Sequence, residues 1–297
     1  ADILIESGVI KEVSRNIPVL IEYEIIELPD TTILPGLMDA HVHLTGNTDL
    51  KGHEGISESS YLATIYGVKN AKQTLLSGFT TVRNVGASNY SDVALRDGIE
   101  QKAILGPTLL VSGPPLGITG GHCDSNILPA EYEYKAQGVA DGPWEVRRKV
   151  RENKKYGVDL IKYCATGGVM SKGTNVNNRQ YTLDEMKAIV DEAHTLGMKV
   201  AAHAHGLDGI RMAIDAGVDS VEHSSLIDQE TVNLAISNNV FLSMDIYVSD
   251  YILGEGAKNG IPEYSLEKER IVGKKQRENF KMAVESGAKM VFGTDAG

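Results

Sequence analysis

Residues 33–43 read ILPGLMDAHVH, an apolar segment that ends in two histidines with one residue between them. The segment is typical of a short β-strand, and side chains two positions apart on a strand point to the same face. His41 and His43 could therefore bind one metal ion. The pair alone is weak evidence, because an ordinary strand can also end in two histidines. Further residues of ligand type, however, stand at or near the ends of other predicted strands: Lys162, His203, His223 and Asp295.

Glycines divide the chain after residue 32 into repeated helix–strand units. Five times an amphipathic helix pattern ends at a glycine and a β-rich run follows directly, at Gly78, Gly157, Gly197, Gly217 and Gly287. Glycine is favoured there because the residue that follows a helix often takes the left-handed conformation. The unit before Gly197 also begins with a predicted capping box, from Thr182 to Glu185.

The strand candidates number eight and lie near residues 37, 79, 108, 159, 198, 219, 240 and 290. Eight strands that alternate with helices predict an α/β fold, a closed parallel (β/α)8 or TIM barrel, whose active site lies at the carboxyl ends of the strands. An open doubly wound sheet is the alternative, but no Gly-x-Gly-x-x-Gly follows any strand.

Two predicted domains follow from this pattern. Residues 1–32 are expected to form part of a small β-domain, with strands at residues 3–5, 19–21 and 25–26. Residues 33–297 are expected to form the barrel, which stops after strand eight. The irregular stretch 113–142, rich in Gly, Pro and Tyr, is predicted to be a loop that shapes a substrate pocket.

Composition excludes several classes of partner. The formal charge is −11 and the basic residues are scattered, which argues against nucleic-acid binding. No apolar run approaches the roughly 20 residues that span a bilayer, and no signal-peptide pattern opens the chain, so neither a membrane partner nor export is expected. Cys123 and Cys164 are predicted to be unpaired apolar fillers, as in a reducing compartment, and the expected location is cytoplasmic. Ala1 is not a start methionine, and homo-oligomerisation is left open.

Lys162 stands in the sequence DLIKYC, an otherwise core-like strand. An unpaired ammonium is costly to bury, so burial depresses the pKa of a lysine and favours the neutral amine. A neutral amine can add carbon dioxide to become a carbamate. This anion can bridge two metal ions as a carboxylate does.

At these residues the chain resembles the amidohydrolase superfamily in its two-metal form. The matching motifs are PGLMDAHVH at 35–43, IK at 161–162, AHAH at 202–205, VEHS at 221–224 and GTDAG at 293–297. Two further motifs, TGGHCD at 119–124 and CATGGVM at 164–170, are similar to a subgroup of zinc-dependent carboxypeptidases and dipeptidases once called prolidases, particularly the arginine carboxypeptidase type.

The resemblance implies a ligand set for two zinc ions. His41, His43, Lys162 and Asp295 would hold one ion, and Lys162, His203 and His223 the other. Carboxylated Lys162 and a hydroxide would bridge them. Neutral imidazole and carboxylate oxygen suit zinc, and Asp295 would act as general base and then as general acid. The resemblance also implies a closing helix and further strands beyond Gly297, where this sequence stops.

The function expected on this basis is hydrolysis of the C-terminal amide bond of a small peptide or N-acyl amino acid, with release of Arg or Lys. His122 is the main candidate for contact with the substrate carboxylate or carbonyl oxygen. Further candidates are His205 and Tyr247 for the pocket, and Asp245 and Asp124 for the cationic side chain. The alternatives are an Xaa-Pro or broad dipeptidase, a cyclic amidohydrolase of the imidazolonepropionase kind, an organophosphate-type hydrolase and a catalytically silent scaffold. A scaffold has no need of six convergent ligands.

Overall fold

The computed structural model describes residues 1–47, 50 and 54–296, which form two compact units. The first unit spans Ala1–Pro35 and the second Gly36–Gly297. In the first unit, β1 (Asp2–Glu6) pairs with β2 (Val9–Ser14) in antiparallel orientation.

The strands expected at residues 19–21 and 25–26 are not formed, so that prediction is wrong. Pro18 lacks a backbone N–H group, and the Ile21 side chain is fully exposed. These β-rich runs therefore gain neither a hydrogen-bonded neighbour strand nor a buried face, and residue type alone does not make a strand.

The described part of the second unit contains eight parallel strands, which confirms the predicted TIM-barrel-like fold. They are β3 (Leu37–Val42), β4 (Phe79–Asn84), β5 (Thr108–Val111), β6 (Leu160–Cys164), β7 (Lys199–Ala204), β8 (Ser220–His223), β9 (Phe241–Ser243) and β10 (Lys289–Val291). Ladders join β3 to β5 and β6 to β10. Backbone bonds close the two gaps: Asp159 N donates to Val111 O over 2.8 Å, and Ala40 N donates to Phe292 O over 2.8 Å.

Helices connect the strands. They are α1 (Glu54–Ser57), α2 (Ser60–Leu76), α3 (Ser91–Glu100), α4 (Pro143–Lys155), α5 (Leu183–Thr195), α6 (Leu207–Ala216), α7 (Gln229–Ser237), α8 (Val248–Gly254) and α9 (Glu263–Glu285). The five glycines that mark the helix–strand units have φ between +74° and +96°. The capping box at the start of α5 is present, because Thr182 and Glu185 bond to each other's backbone N–H groups.

The core lies between the strands and the helices, and its largest fully buried side chains include Tyr163, Met186 and Ile210. None of the described helices has both the length and the apolar character that a membrane crossing requires. The loop predicted at 113–142 contains one turn of 3-10 helix, Ala130–Tyr132, and is otherwise irregular among its described residues. It leaves the barrel after β5, at the carboxyl end of the sheet.

Candidate metal centre

The barrel brings the predicted ligands to its carboxyl end. Four of them lie within strands, one follows a strand directly and one lies in the segment beyond the last strand: His41 in β3, Lys162 in β6, His203 in β7, His223 in β8, His43 after β3 and Asp295 beyond β10. The imidazole ring centres of His41 and His223 are 4.9 Å apart, and those of His203 and His223 are 4.6 Å apart. Side chains from five different strands therefore share one small volume.

The potential ligand atoms form three overlapping groups. His41, His43 and Asp295 form the first, His203, His205 and His223 the second, and His223, Asp245 and Asp295 the third. Within each group the ligand atoms lie within 4.8 Å of one another. Asp295 Oδ1 is 3.2 Å from His41 Nε2 and 3.3 Å from His43 Nε2. Imidazole nitrogens with one carboxylate oxygen suit a zinc-type ion, so the residues present fit a metal.

Asp39, the first residue of the DAHVH motif, ties the first barrel strand to the last. Its Oδ2 accepts a hydrogen bond from Thr294 Oγ1 over 2.6 Å, and its Oδ1 accepts bonds from the backbone N–H groups of Thr294 and His41. Asp295 N also donates to His41 O over 2.8 Å. The buried Asp39 carboxylate thus holds Asp295 beside the two histidines of its own motif.

Lys162 is 96% buried, its relative exposure being 4%. Burial lowers the pKa of Lys162, and among the described residues no carboxylate lies within ion-pair distance of its nitrogen. Its charge lowers the pKa of both His41 and His203, so it lies within electrostatic reach of the first two ligand groups. This environment favours a neutral amine between them.

His223 reaches the site through an unusual backbone. Glu222 already points into the barrel, and the next residue of a regular strand would point away. His223 and Ser224 instead have φ of +67° and +48°, in the left-handed region that non-glycine residues rarely adopt. This turn brings two consecutive side chains, Glu222 and His223, to the same centre.

Glu222 forms a buried hydrogen-bonded chain with His41 and Arg83. Glu222 Oε2 lies 3.0 Å from His41 Nδ1, and Arg83 Nη2 donates to Glu222 Oε1 over 2.7 Å. Arg83 also donates to Ala40 O and Ser220 Oγ. A carboxylate on Nδ1 leaves Nε2 of His41 free to face the candidate metal position. Sequence reasoning missed these two residues; a buried acid next to a candidate ligand, and an arginine inside a core strand, were the available signals.

Asp245 is hydrogen-bonded to Nδ1 of His223, as Glu222 is to Nδ1 of His41. Its two carboxylate oxygens lie 2.9 and 3.0 Å from His223 Nδ1, and Gln276 Nε2 donates to Oδ1 over 3.2 Å. Asp245 is 1% exposed. Both of its oxygens thus face a candidate ligand histidine, so neither is free for the side chain of a cationic substrate.

Charges inside the site favour binding of a cation. Burial and Lys162 lower the pKa of His41, but the carboxylates of Asp295 and Glu222 outweigh them and raise it to about 9. Burial raises the pKa of Asp295, but His41 and His43 hold it well below its ordinary value of 3.8. Burial and neighbouring histidines lower the pKa of His203 and His205. The site thus combines the ionised Asp295 carboxylate with neutral imidazoles at His203 and His205, and His41 would have to release its proton to bind a metal ion.

His122 faces this centre from the loop that follows β5. Its ring stacks on that of His203 with a centroid distance of 4.3 Å, and its Nδ1 is hydrogen-bonded to Ser171 Oγ over 2.8 Å. Burial and the charge of His223 lower its pKa to about 3, so the ring is neutral. Gly168 lies against the ring so closely that a Cβ atom there would come within 2.2–2.5 Å of it. The glycine therefore makes room for His122.

Cys123, next to His122, forms a disulfide with Cys164 of β6. The prediction of two unpaired cysteines is therefore wrong. They are 41 residues apart in sequence, and only the fold brings their Cα atoms to 6.2 Å. A disulfide is more typical of an oxidising compartment, so the cysteines no longer indicate a reducing one. The bond ties the His122 loop to the strand that carries Lys162.

Of the other predicted site residues, His205 lies among the candidate ligands, whereas Tyr247 and Asp124 lie outside them. His205 belongs to the second ligand group and is hydrogen-bonded through Nδ1 to Ser225 Oγ over 2.8 Å. Tyr247 precedes α8 and is 71% exposed. Asp124 holds its own loop, because its oxygens accept bonds from the backbone N–H groups of Gly120, Ser125 and Ala136. Neither Tyr247 nor Asp124 belongs to a described ligand group.

Comparison with known proteins gives consistent matches. A model of the amidohydrolase family matches residues 32–297. The ochratoxinase of Aspergillus niger is 31% identical over 282 residues, which cover 89% of this chain and 58% of that protein. The chain thus spans less than two thirds of the length of this relative.

Solved structures with the same fold include two dipeptidases. A Xaa-Pro dipeptidase with methionine bound in its active site is 36% identical, with a TM-score of 0.91 over 99% of this chain and 74% of that chain. A prolidase in complex with N-methylphosphonate-L-proline is 32% identical, with a TM-score of 0.88 over 99% and 73%.

Proposed function

The chain belongs to the amidohydrolase family, and we propose that it is a metal-dependent hydrolase that removes the C-terminal residue from dipeptides or N-acyl amino acids. One observation carries the proposal. Two groups of metal-ligand atoms, those around His41 and those around His203, lie side by side at the carboxyl end of the barrel, with neutral His122 facing them. In a scaffold protein without a metal, nothing would offset the free-energy cost of burying these polar groups together.

Two zinc ions fit these groups best. His41, His43 and Asp295 would hold one ion, and His203 and His223 the other, with carboxylated Lys162 between them. When bound, zinc supplies an acidified water and polarises the carbonyl that the water attacks. The proposal of zinc rests on the imidazole-rich ligand set and on the absence of cysteine ligands.

The protein's own residues would transfer the proton and stabilise the carbonyl oxygen. The Asp295 carboxylate is ionised and accepts the proton of the attacking water, then delivers it to the leaving nitrogen. Neutral His122 can donate one hydrogen bond to the scissile carbonyl oxygen as negative charge develops there. Ser171, on the other nitrogen of His122, fixes the ring for that contact.

Arginine or lysine is the first choice for the released residue, because the chain is acidic with a net charge of −11. Asp245 and Asp124 are the carboxylates that the sequence suggests for contact with the cationic side chain. In the structure, however, Asp245 is hydrogen-bonded to His223, and Asp124 accepts hydrogen bonds from its own loop. A second candidate function is therefore an Xaa-Pro dipeptidase. Structural neighbours of that description at 36% and 32% identity favour it.

The test is a release screen with the metal-loaded protein. N-acetyl amino acids and Ala-Xaa dipeptides that end in Arg, Lys, Pro, Leu and Phe are incubated with it, and free amino acids are quantified. Faster release of Arg and Lys supports the first choice, and preference for Pro supports the second. Turnover of a cyclic amide or a phosphotriester, without release of any amino acid, would contradict the proposal.

A further inference from the structure

Lys268 reaches from α9 to the edge of the candidate site. Its ammonium donates to Gly168 O over 2.8 Å and to Ser171 O over 2.5 Å. Both acceptors belong to the turn that follows β6. The side chain thus holds a positive charge over a segment that has no regular secondary structure.

The same turn positions His122. Gly168 packs directly against the His122 ring, and Ser171 Oγ is bonded to His122 Nδ1. The charge of Lys268 contributes to the lowered pKa of both His122 and His205, so it acts across the site opening. Lys268 and His122 are therefore neighbours held by one short segment.

The ammonium of Lys268 retains binding capacity. A lysine ammonium has three donors, and the two bonds described go to neutral carbonyl oxygens. Among the described residues no carboxylate lies within ion-pair distance of it. Burial alone lowers the pKa of Lys268, in contrast to Arg83, whose guanidinium is neutralised by Glu222. The charge is thus left available for an anion.

We propose that Lys268 binds the α-carboxylate of the substrate's C-terminal residue and thereby makes the site specific for the last amide bond of a chain. This inference rests on the proposed function. An α-carboxylate lies only two covalent bonds beyond the scissile nitrogen, so its binding group must stand close to the group that contacts the scissile carbonyl. Lys268 and His122 meet that requirement, because one turn holds both.

The chemistry gives the site its selectivity. An ammonium and a carboxylate form a charge-assisted hydrogen bond, which is stronger than a bond to a neutral amide. A C-terminal carboxamide, or a longer peptide that continues beyond this point, lacks that partner. Such a substrate leaves the charge of Lys268 uncompensated. This assigns recognition of the carboxylate to Lys268 and leaves His122 for the carbonyl oxygen.

The experiment compares matched acids and amides. N-acetyl-L-arginine and N-acetyl-L-leucine, each as free acid and as carboxamide, are titrated by calorimetry into the full chain and into Lys268→Met and Lys268→Arg. Turnover of the same compounds gives kcat and KM. Lys274→Met is the control, because Lys274 is an exposed lysine on the same helix. We expect the parent and the control to prefer acids at least tenfold, Lys268→Arg to keep most of this preference, and Lys268→Met to lose it.

The outcomes separate the inference from the proposed function. Equal weakening of acids and amides in Lys268→Met means that Lys268 only supports the turn, and this overturns the inference. A parent that binds acids no better than amides, or binds neither, also overturns it. A parent that binds acids through Lys268 but releases no amino acid supports the carboxylate site while the proposed function fails. If Lys268→Met hydrolyses the substrates with the same preference for acids as the parent, the proposed function stands and the inference about Lys268 fails.

Discussion

Glu222 Oε2 lies 3.0 Å from His41 Nδ1, so a carboxylate on β8 orients a candidate ligand on β3. We predict that Glu222→Gln weakens metal binding roughly tenfold or more, because such outer partners fix the ligand ring and raise its basicity. Chelator competition measures the affinity, and the absorption spectrum of the Co²⁺-loaded protein reports the changed geometry.

The matched control for this change is Glu230→Gln. Glu230 is 80% exposed on α7 and forms a surface ion pair with Arg211. This control should bind metal as the parent does. Unchanged metal affinity and an unchanged Co²⁺ spectrum in Glu222→Gln would show that Glu222 contributes only to folding.

Lys162→Ala should lose most of its metal and its activity, because the buried amine is the group proposed to carry the bridging carboxylate. Metal content after gel filtration measures the first effect. Short carboxylic acids at high concentration should restore part of both metal content and turnover, since they can supply the missing anion. Full metal content in Lys162→Ala, without any added acid, would contradict the bridge.

Much of the barrel is predictable because its signals are local. The glycine after each helix and the capping box of Thr182 depend on a few neighbouring residues, and both occur as expected. Strand ends could be placed for the same reason, and the parallel topology then determines which residues converge. His41, His203 and His223 meet for that reason, although they are far apart in the chain.

Contacts that irregular loops make with distant parts of the chain could not be predicted. The disulfide from Cys123 to Cys164 depends on how a long irregular loop folds back, and nothing in the spacing of the two cysteines indicates it. The bond from Lys268 to the Gly168 turn joins residues 100 positions apart. Segments 19–21 and 25–26 are rich in β-forming residues but form no strand. Such residues form a strand only when a neighbouring strand is available for pairing.

Asp295→Asn should reduce kcat by orders of magnitude while most of the metal remains bound, because an amide cannot take the proton from water. The pH profile adds a second check. The pKa of Asp295 is held below its ordinary value of 3.8, so the carboxylate is ionised above that pH and is lost as base only when the pH falls through the lowered pKa. The parent should therefore show no acidic limb from this group above about pH 4. Near-full turnover in Asp295→Asn would require another base.

Reduction of the Cys123–Cys164 disulfide should destabilise the barrel and loosen the His122 loop. A cross-link over 41 residues restricts the unfolded chain, and its loss typically costs roughly 2–4 kcal/mol in free energy of unfolding. Urea unfolding with and without reductant measures the loss, and alkylation followed by intact mass counts the free thiols. The double variant Cys123→Ser, Cys164→Ser should have the stability of the reduced parent and should not respond to reductant. Two alkylated thiols in the unreduced parent would show that the bond does not form in solution.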